Sequence, residues 1–216
     1  VIRNVIEYRL KNKLLVNFEA FERKLDMLSR YELRDYVTQY SWIKPTLKNY
    51  NLIESALKKI NANKILDIGC GSGYWTYHLN KMGFNVDGIK VEMYTWKKGE
   101  DITGVDVIDL CEKCTHKNFY HMDDEELNKY DTFYVSWPPY SAPLGTDAFK
   151  KFLKLNNVKN YVFIGEPGGC TGDNELYELL TDEDFHKENN LVVREYHDFD
   201  SFDTIHDYLI TVSKTN

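Results

Sequence analysis

The chain has 216 residues, enough for one large domain or one domain with an extension, and 43% of them are hydrophobic, ample for a core. Its 27 basic and 34 acidic residues give a net charge of -7, which disfavours a broad nucleic-acid face and leaves only a local basic patch open. No stretch approaches the length of a membrane span, no signal-peptide pattern opens the sequence, and four irregularly placed cysteines make no disulfide framework at this length, so a soluble, cytoplasmic protein is expected.

Leu14, Phe18, Phe21, Leu25 and Leu28 fall three and four apart with charged residues between them. This stripe predicts one or two helices over Asn12–Asp35, packed on a larger body as an N-terminal extension that spans residues 1–45. Tyr36 and Tyr40 break the stripe, and Tyr40-Ser41-Trp42-Ile43-Lys44-Pro45 follows. Pro45 biases Lys44 away from helical backbone and suits the first turn of the next helix. That helix is expected at Thr46–Ile60, with Ile53, Ala56, Leu57 and Ile60 on its buried face. Tyr40 and Trp42 either form part of a lid over a site or only pack the extension onto the domain of residues 46–216.

Lys64–Leu79, KILDIGCGSGYWTYHL, reads as a buried strand, a glycine turn and a helix with Trp75, His78, Leu79 and Met82 at helical spacing. Gly69, Gly71 and Gly73 let the backbone turn tightly and come close to a ligand. The spacing is Gly-x-Gly-x-Gly, not the Gly-x-Gly-x-x-Gly of dinucleotide-binding turns, and no Gly-Lys-Ser/Thr phosphate cradle follows. Asp67 at the strand end suits a cationic ligand or a water network. The run Asp67-Ile68-Gly69-Cys70-Gly71-Ser72-Gly73 resembles the first motif of the class I S-adenosylmethionine-dependent methyltransferases. The resemblance implies that Gly69, Cys70, Gly71 and Gly73 pack against the methionine part of the cofactor, S-adenosylmethionine, and that Asp67 supports its amino group. The competing reading is an ordinary glycine-rich turn of another α/β protein.

Gly83–Ile89 reads as a turn and second strand, so a doubly wound sheet is expected. In the family an acidic residue at the end of this strand takes the ribose hydroxyls. Lys90 stands there, and Glu92, two residues on, is the ribose candidate; the competing reading is a solvent-facing acid in a loop. Val105–Leu110 reads as a short strand. Cys111, Cys114 and His116 are ligand types that zinc accepts, but they lack a fourth partner nearby, so no metal is expected. The family places an adenine-binding acid near Phe119–Asp124. Asp123 is the candidate, and it is equally suited to cap a short helix.

Asp131–Tyr140, DTFYVSWPPY, is a strand stopped by Pro138 and Pro139, with Tyr140 projected beyond. It resembles the Asp/Asn/Ser-Pro-Pro-Tyr motif of amino-group methyltransferases. It departs at the polar position, which Trp137 occupies, while Ser136 comes one residue early and is grouped with the cofactor contacts. An indole has no oxygen to accept amine hydrogens, so the carbonyls of Trp137 and Pro138 are the expected substitutes. Tyr140 and Trp137 are expected at the acceptor. A helix at Leu144–Leu155 and a fifth strand at Asn160–Gly165 lead to Glu166, which either meets the acceptor or binds the helix starting near Asp173. Leu191–Tyr196 and Asp207–Val212 lie too close together for a crossover and should pair as a hairpin.

The expected fold is therefore α/β: a doubly wound, mostly parallel seven-stranded sheet of class I methyltransferase type with an antiparallel last strand. The resemblance extends from about Thr46 to the end and includes members with a Trp-Pro-Pro-Tyr motif. It implies methyl transfer to a small-molecule or protein acceptor. Two alternatives stay open: methylation of nucleic-acid base amines, which the acidity and Trp137 disfavour, and a silent cofactor-binding partner subunit.

Overall fold

The computed structural model describes residues 41–90, 113–115 and 117–215. The expected extension helix over Asn12–Asp35, the strand Val105–Leu110, Tyr40, Glu92, Cys111 and His116 lie outside these residues.

Helix α1 is Leu47–Lys59. Thr46 stands before it as the cap, its Oγ1 accepting the Asn49 N–H at 3.2 Å, so the helix begins one residue later than its sequence suggests. Strand β1 (Lys64–Ile68), helix α2 (Tyr74–Lys81) and strand β2 (Asn85–Ile89) follow. Next come β3 (Cys114–Thr115), the short helix α3 (Asp124–Leu127), β4 (Thr132–Ser136), α4 (Leu144–Lys154) and β5 (Asn160–Gly165). Helices α5 (Asn174–Thr181) and α6 (Glu183–Glu188) lead to β6 (Leu191–Tyr196) and β7 (Tyr208–Lys214).

Among the described residues seven strands form one sheet, in the order β3-β2-β1-β4-β5-β7-β6. β1 to β5 are mutually parallel. β7 runs against both its neighbours, β5 and β6, so the expected hairpin forms. Each central strand feeds two cores because its side chains alternate. Ile65, Tyr134 and Val162 face one layer with Ile53, Leu57 and Leu79. Leu66, Phe133 and Phe163 face the other with Phe149, Phe152 and Leu176. Burial on both faces is the reason these strands read as continuous apolar runs.

Two consequences fix where a ligand can go. Strand order reverses between β1 and β4, so a crevice opens at their carboxyl ends. Because β7 is reversed, its first residue, Tyr208, lies opposite Gly165, the last residue of β5. The segment before β7 is thereby brought to the same edge.

Candidate functional site

The turn after β1 is built from left-handed backbone, with φ of +80° at Gly69 and +54° at Gly71. Side chains with a Cβ adopt this conformation rarely. The Gly69 and Cys70 N–H groups both donate to the Ile89 carbonyl, at 2.9 and 3.0 Å, which pins the turn to β2. Among the described residues nothing lies within 4 Å of where a Cβ on Gly71 would stand, so the turn faces open space there. The reverse holds beneath it. A Cβ on Gly88 would meet Thr76 Oγ1 at 2.6 Å, Cys114 Sγ at 2.7 Å and Cys70 Sγ at 2.9 Å. The Cys70 thiol is thus turned inward, where a hydrogen bond with Cys114 and burial push its pKa up.

Asp67 lies at the base of this turn and is 1% exposed. Its Oδ2 accepts the Thr76 hydroxyl at 2.6 Å. Its Oδ1 is buried with no hydrogen-bond partner among the described residues, and so is the hydroxyl of Tyr134, its register partner on β4. Burial pushes the Asp67 carboxyl up to about 7, against the opposing bond from Thr76.

Residues 41–46 are tied down beside this turn. Ser41 Oγ accepts the indole N–H of Trp75, on α2, at 2.8 Å. Asn49 acts as a latch: its Nδ2 donates to the carbonyls of Lys44 (2.8 Å) and Asp200 (2.7 Å), and its Oδ1 accepts the Asp200 N–H at 2.8 Å. Thr46 adds a hydroxyl bond to Asp200 Oδ2 at 2.8 Å. The connection between β6 and β7 is joined to residues 41–46 in this way, with Phe199 and Phe202 buried in the same core as Ile43 and Tyr50. Trp42 stays 44% exposed and stacks on Trp137, ring centroids 5.0 Å apart and planes 17° from parallel. Tyr50 and Tyr74 share a hydroxyl bond of 2.6 Å nearby. His78 packs edge-on to Tyr50, its Nε2 buried with no hydrogen-bond partner among the described residues, and burial lowers its pKa to about 4.

The turn after β4 differs from its sequence reading. Trp137 is left-handed, φ +49°, a conformation that strains a bulky residue. Its N–H donates to the Ile164 carbonyl at 2.8 Å, and its indole N–H donates to Asp207 Oδ1 at 2.8 Å. The Pro138 carbonyl, expected to be open to an acceptor, accepts the Gly172 N–H at 3.0 Å. Tyr140 is 60% exposed. Glu166 does not bind α5, which Asp173 caps through the Leu176 N–H at 2.9 Å. It instead accepts the N–H groups of Cys170 and His206, each at 3.2 Å. Ser136 closes β4 and is half-buried. Asp123 caps α3, its Oδ1 accepting the Glu126 N–H at 2.8 Å.

Asp207, at the amino end of β7, was not singled out by its sequence. It is 3% exposed, and its Oδ2 is buried with no partner among the described residues. Burial raises its pKa to about 7, with the Trp137 bond opposing and the Glu166 charge adding. The signal was present in the hairpin itself: an acid directly before a strand antiparallel to β5 must land at the carboxyl end of β5. Among the described residues there is no group of three or more His, Cys, Asp or Glu placed to hold a metal. Among the same residues no helix is long and apolar enough to cross a membrane.

The family described as Tellurite resistance protein TehB matches residues 32–137, just under half of the chain and inclusive of the glycine turn. No curated protein matches. Among solved structures, the O-methyltransferase from Bacillus cereus in complex with SAH is similar over 98% of this chain and 97% of its own, with 12% identity and a TM-score of 0.54. The precorrin-6y C5,15-methyltransferase from Geobacter metallireducens covers 80% of this chain and 90% of its own at 11% identity, with a TM-score of 0.47. The methyltransferase domain of bacterial CtHen1 covers 77% and 97% at 13% identity, also with a TM-score of 0.47. Strand order, the reversed β7 and the likeness to the Bacillus cereus protein agree: this chain has the fold of the class I methyltransferases.

Proposed function

We propose that this protein is an S-adenosylmethionine-dependent methyltransferase that acts on a small-molecule or protein acceptor. The observation that carries the reading is the orphaned Asp67 Oδ1 beneath a left-handed glycine turn with open space above it. A buried carboxyl oxygen without a partner is costly unless something completes it, and the ammonium group of a methionine moiety has the required charge and donors. The residues therefore fit the cofactor. When bound, the cofactor supplies a methyl carbon on a sulfonium, open to direct substitution by the acceptor.

The chain's own contribution is binding and alignment. Asp67, helped by the Tyr134 hydroxyl, holds the ammonium, and the backbone of Gly69, Cys70, Gly71 and Gly73 lies along the methionine chain. The Cys70 thiol, buried against Cys114, takes no part. Glu92 takes the ribose hydroxyls, and Ser136 borders the cofactor. Asp123 reaches the adenine amino group through Oδ2, while its Oδ1 keeps the cap of α3. Tyr40 and Trp42 belong to the cover of the site. Trp137, Tyr140 and Glu166 line the acceptor side.

Titration calorimetry with S-adenosylhomocysteine tests the reading. The expected result is saturable binding that Asp67→Asn weakens at least tenfold and Glu92→Ala weakens several-fold. The absence of binding to the wild-type protein overturns the assignment. Binding without methyl release across a panel of acceptors would leave a cofactor-binding subunit in place of an enzyme.

A further inference from the structure

We propose that Asp207, clamped by Trp137, receives the acceptor, and that the acceptor presents a protonated amine. The inference rests on the methyltransferase reading of the same sheet edge and names the substrate class that edge takes.

The turn after β4 lacks the polar side chain that its Pro-Pro-Tyr sequence leads one to expect. The fold replaces it from elsewhere. The reversed β7 delivers Asp207 next to the carboxyl end of β5, where the Trp137 indole N–H engages Oδ1 at 2.8 Å. The second oxygen, Oδ2, is buried and has no partner among the described residues. The Asp207 N–H is fixed on Ser201 Oγ at 2.8 Å, so the backbone holding the carboxyl is anchored too. Trp137 keeps a left-handed backbone in this arrangement. Strained conformations persist where surroundings over-determine them, commonly at ligand sites.

The chemistry around Oδ2 selects charge. Glu166, from the connection after β5, adds a second carboxylate, and its field raises the Asp207 pKa. His206 precedes Asp207 in the chain and gives its backbone N–H to Glu166. The stacked indoles of Trp42 and Trp137 offer π faces, which attract cations. Two carboxylates and two indoles disfavour an anionic acceptor. They give a neutral hydroxyl no advantage over an ammonium. An ammonium completes the unpartnered oxygen and offsets the buried charge. Since Asp207 holds its proton up to about pH 7, amine binding displaces that proton and strengthens as pH rises through this value.

The test uses the full chain and n-butylammonium chloride as probe, with n-butanol and sodium butyrate as controls. The readout is the indole N–H resonance of Trp137 in a proton–nitrogen correlation spectrum, assigned by its loss in Trp137→Phe. The expected result is a saturable shift with butylammonium alone, with affinity rising up to about tenfold per pH unit below pH 7 and levelling above it. Asp207→Asn should weaken the response at least tenfold and remove its pH dependence. It is nearly isosteric and removes a buried charge, so its fold should hold. Asp207→Glu, which keeps the charge, should retain measurable binding and guards against a packing artefact. Equal responses to butanol or butyrate, or an unchanged response in Asp207→Asn, overturn the proposal. Calorimetry with S-adenosylhomocysteine on the same samples separates the two readings: retained cofactor binding with no amine response sinks this inference alone.

Discussion

At the scale of single residues, Asp67 and Asp207 present the same physics in two places: a buried carboxyl with one oxygen engaged and the other without a partner among the described residues. For Asp67 the folded-state pKa is raised from 3.8 to about 7. The sign follows from proton counting. The folded chain binds the Asp67 proton more tightly than the unfolded chain, so stability from this group is full below pH 4 and is lost as pH rises through 7. Asp67→Asn removes that loss, and at pH 8 the unliganded variant should exceed wild type by up to ~4 kcal/mol in urea unfolding. The same substitution should abolish the pH dependence of S-adenosylhomocysteine affinity. In wild type, calorimetry should show tightening by up to about tenfold per unit below pH 7 and a plateau above. Asp67 was legible because its neighbours in sequence form the glycine turn. Asp207 was not, because its side-chain partner Trp137, 70 positions away, is brought to it by strand order rather than by spacing.

At the scale of elements, contact between β2 and the glycine turn is limited to what a residue without a side chain allows. Gly88→Ala places a Cβ within 3 Å of Thr76, Cys70 and Cys114. The expected cost is about 1–3 kcal/mol in thermal unfolding, with weakened cofactor binding, since Thr76 holds Asp67 and Cys70 lies in the turn. Asn49→Ala removes all three latch bonds between α1, residues 41–46 and the β6–β7 connection. It should cost roughly 2–4 kcal/mol and accelerate amide exchange over residues 197–207 before that of the strands. Strands β1, β4 and β5 were readable from apolar runs, and α1 from its 3.6-residue stripe. The latch was hidden: Asn49 lies on α1 as an ordinary polar residue, and Asp200, the partner of two of its three bonds, is 151 positions away. The left-handed turn at Trp137 was hidden too, since bulky residues rarely adopt it and the two prolines after it suggested only a stop.

At the scale of the molecule, Asp67, Asp207 and His78 shift in opposing directions between pH 4 and 7. Asp67 and Asp207 are both raised to about 7, so each withdraws stability as pH climbs from 4 to 7. His78 is lowered to about 4 and does the opposite, adding stability as pH climbs from 4 to 6.5. One acid is therefore balanced and the other is not. Urea unfolding at pH 5.5 and 8 should show the unliganded protein weaker at pH 8, with a smaller difference in Asp207→Asn. Saturating cofactor should reduce the difference in wild type by stabilising the ionised form of Asp67.

The position of β7 also matters while the sheet is being made. β7 is made after every other described strand of the sheet, yet it sits between β5 and β6. A nascent polypeptide can assemble β1 to β5 and their helices, but the flank of β5 stays a bare hydrogen-bonding edge until the ribosome has released residues 208–214. During that interval the β1 turn is already complete, whereas β6 has no strand to pair with. Translation pauses or a premature stop in this region would leave a half-built sheet able to capture foreign strands, which makes the synthesis of β7 a natural checkpoint for chaperones.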